Sequence, residues 1–146
     1  MPLDPRGPRF AAAVTSVVMV VVLVTGWGWL ALAQAVVFAI SAVDPRRGPY
    51  ALLFRAVLAP RLSRPTELEP VAPLRFTQLV GLGFLLVCAG GYLAGATTLG
   101  LVMACLALAA AFLNAAFGLC LGCEVYLAFR RLTGRAMPAR VPNPAP

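Results

Sequence analysis

The sequence predicts an all-α membrane protein: a four-helix transmembrane bundle built from two parallel two-helix repeats, each followed by a short amphipathic surface helix. Three observations point there. Hydrophobic residues make up 61% of the chain and charged residues only 12%, against about 25% charged in an ordinary soluble domain. Polar surface that scarce cannot cover a globule in water, so lipid must solvate much of the molecule. No charge occurs from Phe10 to Val43, and a second, almost uncharged run begins at Phe76. The basic residues flank these runs, as membrane-surface charges do.

The net charge of +7 does not mark a nucleic-acid binder, because the basic residues line no soluble face. All twelve are Arg, with no Lys and no His. This is coding bias, most simply that of a GC-rich bacterial genome. Without His, the usual general base and metal ligand is missing. Four cysteines, two of them single within apolar runs (Cys88 and Cys105), are too few for a disulfide framework.

Residues 1–9 form a short polar leader. One helix over residues 10–43 would run about 51 Å, well beyond a hydrocarbon core of about 30 Å. The run must fold back, and Thr25-Gly26-Trp27-Gly28-Trp29 supplies the turn, with glycines to bend and tryptophans for the interface. Helices over 9–25 and 28–43 follow. A cleaved signal peptide is disfavoured, since the apolar run continues well past the cleavage-like Ala33-Gln34-Ala35. Asp44-Pro45 and Gly48-Pro49 break the second helix. Residues 50–59 then read as an amphipathic surface helix, with Leu53, Phe54, Val57 and Leu58 on one face. A Pro-rich polar linker spans 60–73. Helices over 75–94 and 98–118 flank a second glycine turn, and Pro138, Pro142, Pro144 and Pro146 mark a disordered tail over 134–146.

The halves match. Arg9-Phe10 and Arg75-Phe76 open them, Phe38 corresponds to Phe112, and Tyr50…Phe54-Arg55 to Tyr126…Phe129-Arg130. The membrane domain, 10–133, thus divides into units of about 9–59 and 75–133. Two spans per unit return the chain to the same side, making the repeat parallel. The leader, central loop and tail carry every Arg, while the two short hairpins carry none. The positive-inside rule puts both termini in the cytoplasm of a bacterial inner-membrane protein.

Chemistry concentrates at Cys120-Leu121-Gly122-Cys123-Glu124. A C-x-x-C spacing puts two sulfurs on one face of a helical turn, close enough to bond. By the repeat, the pair begins the second surface helix, where free amides and nearby Arg lower a thiol's pKa. Cys120 is read as nucleophile or sulfur acceptor and Cys123 as resolving thiol. Glu124 is either a first-turn carboxylate favoured by the helix dipole or a proton acceptor. Arg46 corresponds to Cys120 in the repeat, so pseudo-twofold packing is expected to bring Arg46 and Arg47 towards the sulfurs as anion-stabilising neighbours. Asn114 lies on the side leading to the pair. Gln34, a polar amide within a span, is expected to bond across helices. No metal or other cofactor is expected, because two thiolates and a carboxylate make a poor tetrahedral zinc site.

Asp4-Pro5-Arg6-Gly7-Pro8-Arg9-Phe10, Pro49-Tyr50-Ala51-Leu52-Leu53-Phe54-Arg55 and above all the block from Asn114 to Tyr126 resemble a bacterial membrane family, domain of unknown function 4395, over about residues 4 to 133. The family has no established activity. The resemblance implies kinship with small membrane proteins encoded with or fused to rhodanese or thioredoxin domains, and hence thiol or sulfur handling. It carries over no catalytic residue beyond Cys120 and Cys123. Three functions stand at this point: a thiol-redox or sulfur-relay component with such a partner, a transporter of a small sulfur species, and a non-catalytic anchor for a soluble enzyme.

Orientation is directly testable. With the four native cysteines replaced, Arg64→Cys and Arg140→Cys are each expected to resist an impermeant thiol reagent in intact cells. Labelling of either from outside would reverse the topology.

Overall fold

The computed structural model describes residues 3–136 and 141–142. Helix α1 (Arg6–Thr25) starts three residues earlier than expected, since Pro8 sits in the first turn, where its missing N–H is not needed. Gly26, at φ 65°, caps it by donating its N–H to the Val22 carbonyl, a left-handed conformation that favours glycine. Helix α2 (Gly28–Val43) follows at once. Helix α3 (Pro49–Leu53) runs on through a π-helical turn, Phe54–Leu58, into a 3-10 turn, Ala59–Arg61. The first surface helix is therefore a composite, ended at Pro60, which has no N–H to continue it.

The linker is shorter than expected. Helix α4 (Val71–Leu93) begins at Val71, with Pro73 again tolerated in the first turn. Helix α5 (Thr97–Phe117) and helix α6 (Leu121–Leu132) complete the bundle. Strand β1 (Glu67–Leu68) pairs antiparallel with β2 (Val141–Pro142), and Leu3 bridges Glu69 through two backbone bonds of 2.8 and 2.7 Å. Leader, linker and tail thus meet at one end. The expected disorder of 134–146 falls largely on residues 137–140 and 143–146, outside the described residues.

Among the described residues, α1, α4 and α5 are long and apolar enough to cross a membrane, while the apolar α2 has only 16 residues. The main packing pairs are α2 with α4, α1 with α5, and α4 with α5. Met19, Val22, Ala31, Ala35, Leu85, Cys88, Ala89 and Ala104 form the core. It is mostly small, as expected where lipid removes the hydrophobic drive and close packing must hold helices together. Large apolar residues such as Val17, Val24, Leu86 and Val102 face outward.

A largely buried polar chain ties α3 to α1 and α2. Tyr50 donates its hydroxyl to Gln34 Oε1, Gln34 Nε2 donates to Thr15 Oγ1 at 3.0 Å, and Thr15 donates to the Ala11 carbonyl at 2.8 Å. Gln34 thus bonds across helices. Burial pushes the Tyr50 hydroxyl above its ordinary pKa, against the opposing pull of the Gln34 bond, so it remains a donor.

The α4–α5 hairpin depends on glycine. A Cβ on Gly91 would lie 2.7 Å from the Gly100 nitrogen, whereas one on Gly83 would meet nothing within 4 Å. Gly91→Ala is expected to destabilise the protein by about 1–3 kcal/mol, and Gly83→Ala to leave it unharmed. Thermal unfolding in detergent measures both. Equal behaviour of the two variants would refute the close approach.

Candidate functional site

Gly118 ends α5 at φ 68°, donating its N–H to the Asn114 carbonyl. The chain reverses there, and Cys120 becomes the N-cap of α6 in an extended conformation. Its Sγ accepts the Cys123 amide at 3.3 Å. Sulfur here takes the capping role usually held by a Ser, Thr or Asp oxygen. Glu124 lies in the first turn, and Arg130 and Arg131 in the last, so the charges of α6 follow its dipole.

Cys120 and Cys123 are joined as a disulfide, with Cα atoms 5.2 Å apart. Thr77 Oγ1 lies 3.4 Å from both sulfurs and hydrogen-bonds the Pro73 carbonyl at 2.9 Å. The absence of a side chain at Gly122 permits this, since a Cβ there would sit 2.5 Å from Thr77 Oγ1. Both cysteines are half-buried. They line a cavity of about 490 Å³ bounded by the starts of α1 and α4, the end of α5 and α6.

Of the six residues singled out from sequence, Cys120, Cys123, Glu124 and Asn114 line this cavity. Arg46 and Arg47 do not. Arg46 lines a second cavity, and Arg47 is exposed, its Nε 3.6 Å from Asp44 Oδ2. Asp44 holds them there. It accepts the Arg46 amide at 3.0 Å and faces the Arg46 Nε at 3.5 Å. Its pKa lies below the usual carboxylate value, chiefly because of that amide bond.

The cations at the cysteine cavity are Arg6 and Arg9. Arg6 is committed to Asp4 at 2.9 Å and the Ser63 carbonyl at 2.7 Å. Arg9 is exposed and donates to the Ala115 carbonyl at 3.2 Å. Sequence reading missed Arg9 and Thr77 as site residues. The repeat aligned Arg9 with Arg75 but gave no reason to place it beside the cysteines. Thr77 carries no motif at all. Cys88 is fully buried in the core, and Cys105 faces outward from α5. Among the described residues, no three Cys, His, Asp or Glu gather closely enough to hold a metal ion.

A family model described as domain of unknown function (DUF4395) matches residues 3–131. No curated protein and no solved structure matches the chain significantly.

Among the described residues, Thr77 is the side-chain hydroxyl in contact with the pair, 3.4 Å from each sulfur. Thr77→Val keeps its shape and removes the hydroxyl. In the reduced protein the Thr77 hydroxyl, which donates to the Pro73 carbonyl beside the disulfide, is expected to turn its one proton to the Cys120 thiolate, and its loss to slow Cys120 capture by iodoacetamide at pH 7 about threefold. An unchanged rate would make Thr77 packing alone.

Proposed function

The chain belongs to the family described as domain of unknown function 4395, and we propose that it is a four-span membrane protein whose Cys120–Cys123 pair exchanges electrons with a thioredoxin-like partner. The observation that carries the redox reading is the pairing of the two sulfurs at the N-cap of α6, on the wall of an accessible cavity.

Several features support the four spans and the repeat. Helix α2 is about 24 Å long, packs along the full-length α4, and is flanked by exposed Trp27 and Trp29 at one end and Arg46 and Arg47 at the other. The crossed pairs α1–α5 and α4–α2 are equivalents under a parallel repeat. Arg9 of α1 donates to Ala115 at the end of α5, and Arg75 of α4 donates to Ala42 at the end of α2. Phe10 stacks on Phe54 of one surface segment and Phe76 on Tyr126 of the other, at 5.9 and 5.5 Å. The leader, linker and tail, which carry the Arg residues, form the cytoplasmic end in this reading, placed in a bacterial inner membrane.

In the reduced state, the Cys120 thiolate is stabilised by the Cys123 amide and the α6 dipole. It attacks a partner's disulfide. A bond forms between Cys120 and one partner sulfur, and the other partner sulfur leaves as a thiolate that takes up a proton. Cys123 then loses its proton to the carboxylate of Glu124 or to water and attacks the Cys120 sulfur. The Cys120–Cys123 disulfide forms, and the partner's first sulfur leaves. Two electrons pass to the partner. A partner dithiol running the same steps in reverse restores the reduced pair. The cytoplasm holds such a pair largely reduced, so the disulfide is one stage of the cycle. Arg9 and Asn114 border the approach, and Arg9 replaces Arg46 and Arg47 as the proposed anion-stabilising neighbour.

Equilibration with a thioredoxin-type dithiol, followed by a mass-tagging maleimide, tests this. Cys120 and Cys123 are expected to change state together as one two-electron couple. Given the partner in its disulfide form, Cys123→Ser should accumulate a mixed disulfide on Cys120, and Cys120→Ser should abolish exchange. Cys120 should alkylate fastest of the four cysteines, and Arg9→Gln should slow it about threefold at low salt. If both thiols titrate like free cysteine near about 8.5 and neither exchanges, the protein is a membrane anchor without thiol chemistry.

A further inference from the structure

The second cavity, about 290 Å³ in volume, stands in the first repeat unit where the cysteine cavity stands in the second. Each is walled by the starts of α1 and α4, by the end of its own unit's second helix and by the surface segment that follows. Pro8 and Leu74 line both. The walls differ in chemistry. Arg46 stands at the position of Cys120 in the repeat, and Arg55 is a second guanidinium on the wall.

Most polar groups of this cavity are engaged. Tyr50 is bonded to Gln34, the Ser41 hydroxyl donates to the Val37 carbonyl, Asp4 is paired with Arg6, and one Arg55 nitrogen donates to the Arg46 carbonyl. Two buried atoms are not. Arg46 Nε, a donor, and Gln78 Oε1, an acceptor, have no hydrogen-bond partner. Arg46 Nε has Asp44 only as an ion pair at 3.5 Å. Buried polar groups without partners are costly and uncommon, and here one of each kind borders the same cavity. The local charge is positive, because Arg6, Arg46, Arg47 and Arg55 outnumber Asp4 and Asp44.

We propose that this cavity binds a phosphate ester carrying a hydroxyl, supplied by the headgroup of an anionic phospholipid. The phosphate oxygens accept from Arg46 and Arg55, and the hydroxyl donates to Gln78 Oε1. The volume holds about ten waters at about 30 Å³ each, enough for a phosphate and a short polyol. Lipid is the favoured source because the cavity opens at the Arg-rich end, where headgroups of the facing leaflet lie. From there α2 continues with outward-facing Val36, Ile40 and Val43, exposed by 54%, 42% and 76%, which offer an apolar track for acyl chains. The site does not depend on the thiol chemistry proposed above.

The test uses the full chain, delipidated in neutral detergent, and titrates short-chain phosphatidylglycerol, phosphatidylcholine and glycerol phosphate by native mass spectrometry and thermal shift. Phosphatidylglycerol is expected to bind about tenfold more tightly than phosphatidylcholine. Arg46→Gln and Gln78→Met should each weaken it about tenfold. Arg61→Gln, which removes the same charge from a residue lining neither cavity, should not. Glycerol phosphate binding as tightly as the lipid, with the same dependence on Arg46, supports the site and identifies a soluble phosphate ester as its source. Equal affinity for the two lipids, or equal loss in Arg46→Gln and Arg61→Gln, overturns it. Should Arg46→Gln fail to fold, Gln78→Met decides alone, and undiminished phosphatidylglycerol binding in that variant is the negative result.

Discussion

Hydrocarbon offers a polar group no hydrogen bond, and the chain is arranged around that fact. Its long apolar runs are helical because a helix satisfies its own amides and carbonyls. The carbonyls left over at helix ends need donors from elsewhere. Arg9 reaches the Ala115 carbonyl at the end of α5, and Arg75 reaches the Ala42 carbonyl at the end of α2. The first bond joins α1 to α5 and the second joins α4 to α2. The same constraint sends charge to the ends of the bundle, where the cavities lie.

Between the spans, shape does what hydrophobicity does in water. Lipid tails are as apolar as leucine, so helices associate through contact area. Gly91 against Gly100 and the alanines of the core permit that contact. One polar chain, Tyr50–Gln34–Thr15, is buried among them with every link bonded, and it anchors the first surface segment. The second segment, α6, packs Tyr126 against Phe76 much as the first packs Phe54 against Phe10, and differs in having Thr77 beside its sulfurs. The two surface segments therefore border two dissimilar cavities. One presents sulfur at the N-cap of a helix of 12 residues. The other presents guanidinium beside a helix that unwinds after five.

Much of the candidate site was legible from residue order. Cys120, Cys123 and Glu124 are neighbours in sequence, and Asn114 lies less than two helical turns upstream, so local geometry alone brings them together. Arg9 and Thr77 come from other helices, and their approach depends on how α1 and α4 pack on α5 and α6. The repeat led to Arg46 as the nearby cation because it equates positions between units. Equivalence under a twofold places two residues in matching sites, which differs from placing them in contact. Arg46 lines the second cavity instead, held by Asp44.

Composition and turn residues were enough to determine that the chain is helical and to place the hairpins at Gly26 and Gly95. These are local or one-dimensional properties: an apolar run too long for one span must turn, and a glycine with positive φ turns it. Tertiary structure alone decided which helix lies beside which, that α4 begins at Val71, that β2 pairs with β1, and which arginines line the cysteine cavity. The outward and inward faces of these helices are nearly equally apolar, so hydrophobic periodicity cannot say which face is buried. Small residues allow close packing on several sides, and only the assembled bundle selects among them.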